Sequence, residues 1–192
     1  MKPYLLIFLL SVAAAGCSGI NYSQVAPESK SFHPRSVAVL PASIGEYESA
    51  REIVESAVSV KLVKTKWFSN VADASTIRAR ITQSPDISES AGKYIQQLNT
   101  LGVSDPVLAG RLREELNADA LFLTYVTSWG YGRQDGNKVA RVGLGVKVID
   151  TRNGSVVWRA NHELIEEYTI FKPALPKMTD ELLSLLLKEM PH

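Results

Sequence analysis

The sequence predicts an α/β fold: a sandwich in which helices pack against a mixed β-sheet whose last three strands are antiparallel. Three observations predict it. Residues 37–40 form a short, continuous apolar run, as in a strand that is buried on both faces. Stretches with helical spacing separate this run from a strand-rich second half, residues 120–168. There, an Asn-Gly turn separates two runs in which apolar and polar residues alternate.

Residues 1–16 have the layout of a secretory signal, with Lys2, an apolar core and then small residues. The apolar core is roughly 11 residues long, whereas a membrane-spanning helix needs about 20. Ala14-Ala15-Gly16-Cys17 resembles the bacterial lipobox. The resemblance implies that the Cys17 thiol takes a diacylglyceryl group, that cleavage precedes Cys17, and that the new amine receives a further acyl chain such as palmitate.

Cys17 is the only cysteine, so an intramolecular disulfide is excluded. The alternative is an ordinary signal peptide followed by a chance cysteine. Ser18 follows the cysteine, whereas Asp at this position often retains such lipoproteins in the inner membrane. We therefore expect a lipid anchor in the outer membrane, with the protein facing the periplasm.

The composition is that of an ordinary globular protein, with 45% hydrophobic and 21% charged residues. Without Lys2, the mature chain has 20 basic and 20 acidic residues. A neutral chain has no basic field to attract nucleic acid, so we expect no nucleic-acid partner. About 175 residues are enough for one domain with a proper core, which we place at residues 35–192.

The first part of the mature chain predicts a tether and then a strand, a helix and a second strand. Residues 17–34 are polar and without a sustained period, which indicates a flexible lipidated tether. The predicted elements that follow are a strand at 36–41, a helix at 47–64 and a short strand at 67–71. Residues 76–81 fit either a helix or a strand.

Residues 83–104 are the least regular stretch, with a turn-like Ser84-Pro85-Asp86 and a short helix predicted at 91–98. Asp105-Pro106 then begins a helix, since Asp caps helices and Pro fits the first turn. The remaining predictions are a central strand at 120–126, a loop at 130–138, an alternating strand at 140–148, a turn at Asn153-Gly154, a strand at 156–164 and a helix at 179–190.

Three segments together carry a resemblance to a known group: the opening strand 37–41, the helix-to-strand join 115–123 and the hairpin 148–158. In their order and spacing they resemble the envelope lipoproteins related to the curli-secretion lipoprotein CsgG, the amino-terminal domain of TolB and the peptidoglycan-synthase activator LpoB. The resemblance covers most of residues 36–168. It implies a binding, scaffold or channel protein and brings no catalytic residues.

Catalytic and metal-binding patterns are absent from the sequence. The three histidines are His33, in the predicted tether, His162, and the terminal His192. No Cys or His spacing suits zinc, and no phosphate-binding or dinucleotide-binding motif occurs, so we expect no metal and no cofactor. His162 beside Glu163 is the one candidate acid-base pair, and the acidic cluster of Glu163, Glu166 and Glu167 is interpreted as a solvated strand end.

Three functions follow from these observations. The first is a non-enzymatic interaction domain, held on the membrane through Cys17, that engages an envelope protein by a sheet edge or by the 130–138 loop. Its predicted partner-binding residues are Trp129, Tyr131 and Arg133, with Tyr125 as a further candidate. The second is a subunit of a homo-oligomeric assembly related to secretion. The third is an enzyme acting on wall or lipid through His162 and Glu163.

Overall fold

The computed structural model describes residues 20–191 as a six-stranded sheet with five α-helices packed against it. The strands are β1 (Tyr22–Val25), β2 (Ser36–Val39), β3 (Asn70–Ala72), β4 (Ala120–Gln134), β5 (Asn137–Asp150) and β6 (Val156–Tyr168). The helices are α1 (Arg51–Thr65), α2 (Ala74–Gln83), α3 (Pro85–Thr100), α4 (Pro106–Leu116) and α5 (Leu175–Leu187). Short 3-10 helices span Pro27–Ser31 and Glu48–Ala50.

The strand order across the sheet is β1-β6-β5-β4-β2-β3. Strand β2 runs parallel to β3 and β4, whereas the pairs β4–β5, β5–β6 and β6–β1 are antiparallel. The predicted α/β sandwich with a mixed sheet and three final antiparallel strands is therefore confirmed. The Asn153-Gly154 turn joins β5 to β6 as predicted, with Gly154 at φ 73°.

The sheet has a hydrophobic core on each face. Helices α1 and α5 cover one face, where Phe122 and Trp158 are fully buried against the leucines of α5. Helices α2, α3 and α4 cover the other face, where Tyr94 packs with Leu121. Each fully buried large side chain contributes about 1.5–3 kcal/mol, so the two cores account for the placement of the helices. The short strand β2 serves both cores, because successive side chains point to opposite faces.

Part of the predicted tether belongs to the fold, which corrects the predicted boundary at residue 34. Strand β1 pairs with β6 from Tyr22 opposite Asn161 to Val25 opposite Trp158. The 3-10 helix Pro27–Ser31 follows, and Phe32 is buried in the α1/α5 core. The polar composition of this segment fits an edge strand, whose side chains are all exposed.

The stretch predicted to be least regular is helical. Helix α2 begins after Asp73, whose carboxylate accepts from the Thr76 backbone N–H at 2.8 Å. Helix α3 begins at Pro85, with the Ser84 hydroxyl as its cap. The chain turns at Ser84, between α2 and α3, but Pro85 and Asp86 of the predicted turn are already helical, because a capping residue followed by Pro is also the signature of a helix start.

The predicted loop at 130–138 is wrong. Strands β4 and β5 run through it as a continuous ladder and reverse only at Asp135-Gly136. Both turn residues have positive φ, 51° and 86°, as a tight two-residue hairpin requires. The consequence is a hairpin with strands of 15 and 14 residues, much longer than the strands β1, β2 and β3.

Candidate functional site

Strands β4, β5 and β6 extend well beyond the rest of the sheet. On one side, β2 pairs with β4 only as far as Phe122, and a single bridge from Ser43 reaches Tyr125. On the other side, β1 pairs with β6 only between Trp158 and Asn161. We call the extension the arm, and it consists of residues 127–134 of β4, 137–144 of β5 and 162–168 of β6.

The arm has two open edges. In the part of the chain that the structure describes, the β4 side and the β6 side of the arm each pair with β5 alone. An unpaired strand presents a row of backbone N–H and C=O groups that another extended chain can bind. Residues 127–134 and 162–168 contain no Pro and no Lys, two residues that natural proteins use against such pairing.

The three predicted partner-binding residues lie together on the β4 side of the arm. Trp129, Tyr131 and Arg133 alternate along the strand and therefore share the sheet face that α1 and α5 cover further down. Trp129 is half-buried against that core, Tyr131 is 44% exposed, and Arg133 is exposed. Their exposure rises from Trp129 to Arg133 along an open edge strand, whereas Tyr131 and Arg133 were predicted to lie in a loop.

Tyr131 is held by the chain that follows β6. Its hydroxyl donates to the Pro173 carbonyl oxygen at 2.8 Å, and its ring meets the Tyr168 ring edge-on, with centroids 5.9 Å apart. The Lys172 ammonium lies 4.7 Å from the Tyr131 ring centroid, a cation–π contact. Residues 169–173 thus cross from β6 back over the arm, and we call them the tip loop.

Tyr125, the fourth candidate, points to the opposite face of the sheet. Its ring lies over Gly145, where an added Cβ would stand 1.9 Å from the tyrosine Cζ. Lys147 lies beside it and donates to the Leu98 carbonyl oxygen at the end of α3, at 3.2 Å. Burial, together with nearby Arg159, lowers the pKa of Lys147. Tyr125 is therefore a packing residue away from the other three.

Gly143 allows side chains of β4 and β6 to meet across β5. A Cβ at this position would stand 2.3 Å from the Thr127 hydroxyl and 2.6 Å from that of Ser128. The Ser128 hydroxyl instead reaches over the glycine and donates to the Glu163 carboxylate at 2.5 Å. This fits the expectation that glycine inside a strand marks a close approach.

The structure separates the residues of the enzymatic hypothesis. His162 and Glu163 are neighbours on β6 and point to opposite faces of the sheet. The Asn21 backbone N–H donates to His162 Nδ1 at 3.3 Å, whereas Glu163 binds Ser128. The two side chains are therefore not placed to act on one substrate atom.

The charges of the two open edges differ in sign. On the α1/α5 face, the β4 edge ends in Arg133 and the β6 edge carries Glu166. Arg133 makes one long contact, 3.3 Å, to the Gly136 carbonyl oxygen, and Glu166 has no hydrogen bond or ion pair to any described residue. On the other face, Glu167 accepts from the Asn137 amide at 3.0 Å.

Three observations bear on the membrane. Cys17 lies outside the described residues, so its acylation stays a prediction. Residue Asn21 lies beside His162, so the chain enters the fold along β6. Between residues 20 and 191, no helix is both long and apolar enough to cross a membrane.

Between residues 20 and 191, no group of three or more His, Cys, Asp or Glu side chains could hold a metal ion.

The end of the arm was not predicted from the sequence. Ile170 and Phe171, in the tip loop, are 79% and 87% exposed and are the two most exposed large apolar side chains of the described chain. The signal was an apolar pair between Thr169 and Lys172, directly after a strand with acidic residues. Without knowledge of where β6 ends, these two apolar residues look like a continuation of the strand.

Comparisons with known proteins identify the fold. No protein-family model and no curated protein matches the sequence. Among solved structures, a PelC dodecamer from Paraburkholderia phytofirmans is similar, with 20% identity, a TM-score of 0.56, and coverage of 88% of this chain and 95% of that chain. Lipoprotein GNA1162 from Neisseria meningitidis has 15% identity and a TM-score of 0.53, and the match covers 81% of this chain and 97% of that chain. The fold is thus shared with a lipoprotein and with a protein that forms a dodecamer.

Proposed function

We propose that this protein is a non-enzymatic subunit of the cell envelope, anchored through an acylated Cys17, that assembles with copies of itself through the edges of the arm. The observation that carries the proposal is the pair of open edges, one on β4 and one on β6, on opposite sides of the same arm. A molecule with one such edge can bind one partner strand. A molecule with two can bind a neighbour on each side.

The directions of the strands fit such a contact. Strands β4 and β6 are both antiparallel to β5, so they run the same way along the arm. When copies are related by rotation about an axis along the arm, β6 of one copy lies beside β4 of the next and runs parallel to it. This is a heterologous contact, which generates a ring when the rotation closes.

Charge complementarity supports the same pairing. Arg133 stands at the level of Tyr168, because both pair with Lys138 of β5. Glu166 is two residues earlier on β6 and on the same face, within reach of a long arginine side chain on an adjacent strand. The pairing would give Glu166, which lacks a partner in the described chain, an opposite charge.

Membrane anchoring would favour the assembly in two ways. Confinement to a surface raises the effective concentration of copies without any new contact. It also orients every copy the same way, as a rotation axis perpendicular to the membrane requires. The dodecamer with a similar fold supports the proposal that this architecture is suited to repeated self-contact.

Charge reversal tests the proposal. Arg133→Glu and Glu166→Arg each place like charges across the contact, so each variant is expected to lower the assembly affinity at least tenfold. The double variant restores opposite charges with exchanged positions and is expected to recover most of the affinity. The measurement is the mass of the acylated protein in detergent, by native mass spectrometry over a range of concentrations.

The matched control is Arg111→Glu, which reverses an exposed arginine on α4, away from the arm, and should leave the mass distribution unchanged. A wild-type protein that stays monomeric at every concentration would remove the proposal. So would single variants that assemble as the wild type does, because the arm edges would then not form the contact.

A second candidate is an envelope protein that adds an extended segment to one open edge, as in β-strand addition. The outer edge of β6 supports this second candidate, because its seven residues 162–168 have no partner strand on that side in the described chain. The mass measurement separates the two candidates, because a single heterologous partner would leave the purified protein monomeric.

The proposed location is the outer membrane, with the fold in the periplasm. Replacing residues 1–16 by an ordinary cleavable signal peptide and Cys17 by Ala removes the acceptor of the acyl chains and should move the protein from the membrane fraction to the soluble periplasmic fraction. The measurement is immunoblotting of fractionated cells, with inner and outer membranes separated by density. Wild-type protein in the inner-membrane fraction would contradict the location, and Cys17→Ala protein that stays on membranes would contradict the anchor.

A further inference from the structure

The far end of the arm carries an exposed pair of apolar side chains and points away from the body of the fold. Lys138 Nζ donates to the Thr169 carbonyl oxygen at 3.4 Å, which places the start of the tip loop beside the Asp135-Gly136 turn. Ile170 and Phe171 follow and are the most exposed large apolar residues of the described chain. Contacts of Lys172 and Pro173 with Tyr131 then return the chain to the arm, so the apolar pair is held at the extremity.

The start of the described chain limits how far the predicted anchor can lie from Asn21. Strand β1 is antiparallel to β6, so Asn21 lies on the side of Tyr22 that is nearer the tip. Asn21 already lies beside His162. Asn21 is only four positions after Cys17, and at most about 3.6 Å per residue gives a reach of roughly 14 Å.

The longest possible distance from Asn21 to Cys17 is shorter than the part of the arm that extends beyond His162. Tyr168 is six positions after His162 on β6, and at about 3.3 Å per residue this stretch spans roughly 20 Å. An anchor at Cys17 therefore cannot hold the tip clear of the membrane while the arm points toward it. The tip loop would instead extend several ångströms past Cys17, a depth similar to the polar layer on each side of the hydrocarbon core, which is about 5–8 Å thick.

We propose that the tip loop is a membrane contact: Ile170 and Phe171 enter the interface of a phospholipid bilayer, alongside the acyl chains of Cys17. The inference rests on the anchor of the proposed function and not on assembly. Tyr131 and Tyr168 lie just behind the apolar pair, at the level where amphipathic rings favour the headgroup region.

Insertion is apolar and not electrostatic, because the charges around the tip are balanced. Three acidic and three basic side chains surround it, namely Asp135, Glu166, Glu167, Arg133, Lys138 and Lys172. A balanced set gives no strong attraction to anionic lipid. Depth should therefore be the same in vesicles of neutral phosphatidylcholine and in vesicles with added phosphatidylglycerol.

A single fluorescent label tests the contact in the full, acylated protein. Acylation consumes the thiol of Cys17, the only cysteine, so Phe171→Cys introduces one free thiol for an environment-sensitive dye such as NBD. The matched control is Val107→Cys, 71% exposed at the start of α4. It lies at the opposite end of the sheet, where Pro106 packs on Gly154. Both proteins are reconstituted into vesicles that carry nitroxide-labelled lipid.

The expected result is a blue-shifted emission and at least twofold quenching by lipid nitroxide at position 171, with neither effect at position 107. If, in acylated protein, the dye at position 171 is as exposed to water as the dye at position 107, the membrane contact is overturned and the anchor is unaffected. A label at 171 that is shielded from water but not quenched by lipid would show a protein contact and would also overturn it. An unmodified Cys17 in the intact mass would remove both the anchor and this inference.

Discussion

Gly154 joins two layers of the molecule at one turn. It has a φ of 73°, and a Cβ there would stand 2.6 Å from the Cα of Pro106, the first residue of α4. Gly154→Ala should therefore lower the free energy of unfolding by about 2–4 kcal/mol, as strained backbone and a backbone clash add. Urea denaturation at a fixed protein concentration measures it.

Gly136→Ala is the matched control for that substitution. Gly136 also has a positive φ, 86°, but nothing lies within 4 Å of the point that a Cβ would occupy there. We expect only the backbone term, about 1–2 kcal/mol. If Gly154→Ala and Gly136→Ala lower the free energy of unfolding equally, the contact between the β5–β6 turn and α4 does not constrain Gly154.

Asp119 connects the start of β2 to the start of β4. Its carboxylate accepts from the Arg35 and Ser36 backbone N–H groups at 3.0 and 3.1 Å and from the Ser36 hydroxyl at 3.0 Å. Burial acts to raise the pKa of Asp119, but these hydrogen bonds outweigh it, and the pKa is lowered overall. The group stabilises the folded state when it is ionised.

The sign of the pH dependence follows from that lowered pKa. The contribution of Asp119 is complete above its unfolded pKa of about 3.9 and is lost as the pH falls through the lower folded value. The difference in unfolding free energy between wild type and Asp119→Asn should therefore shrink from pH 7 to pH 3. Urea denaturation at both pH values tests this, and a difference that grows toward pH 3 would contradict the assignment.

Among the elements, helix α4 begins where the sequence predicts, directly after Asp105. The Asp105 carboxylate accepts from the backbone N–H groups of Val107 and Leu108 at 2.8 and 3.1 Å. Asp105→Ala removes the cap and should lower the unfolding free energy by about 1 kcal/mol. Glu114→Ala, on the exposed face of the same helix, should change it by less than about 0.5 kcal/mol. Thermal unfolding followed by circular dichroism measures both, and equal shifts would contradict the capping role.

Elements are predictable where one local signal dominates, and prediction fails where one signal has two meanings. Asp105-Pro106 and Asn153-Gly154 each have a single strong interpretation, and both are confirmed. Ser84-Pro85 fits a turn as well as a helix start, so the sequence predicts only a short part of α3, although Ile87, Ala91, Tyr94 and Leu98 follow a helical spacing. Asp135-Gly136 falls in the predicted loop because Gly130 and Gly132 nearby suggest irregular backbone, although the pair is itself a hairpin signal.

For the whole molecule, the sheet order decides which predicted residues become a site. Local patterns contain no information that β1 would pair with β6 or that β2 would stop at Phe122 on β4. Those two long-range facts leave both edges of the arm open, and they make the part of β4 that carries Trp129, Tyr131 and Arg133 an edge strand. They also shorten the tether, since the chain joins the fold at β1 instead of after residue 34.

The anchor and the tip loop are consistent with the proposed assembly. Rotation about an axis along the arm leaves the tips of all copies on one side, which is also the side toward which the amino-terminal end of β1 is directed. A ring built from such copies would present its apolar residues, Ile170 and Phe171, and its acyl chains to one membrane plane. In a twofold dimer the arms would point in opposite directions, so the lipid anchors of the two copies could not both enter the same membrane.

Hydrogen exchange of the backbone amides tests the central claim, edge-to-edge pairing of the arms, most directly. The acylated wild type is compared with Arg133→Glu at the same concentration in detergent, and segments 127–134 and 162–168 are followed by mass spectrometry. We predict slower exchange in the wild type in both segments, with β1 and β3 unchanged, because each open edge gains a partner strand. Equal exchange rates in the two proteins at both edges, although the wild type is assembled, would contradict the account.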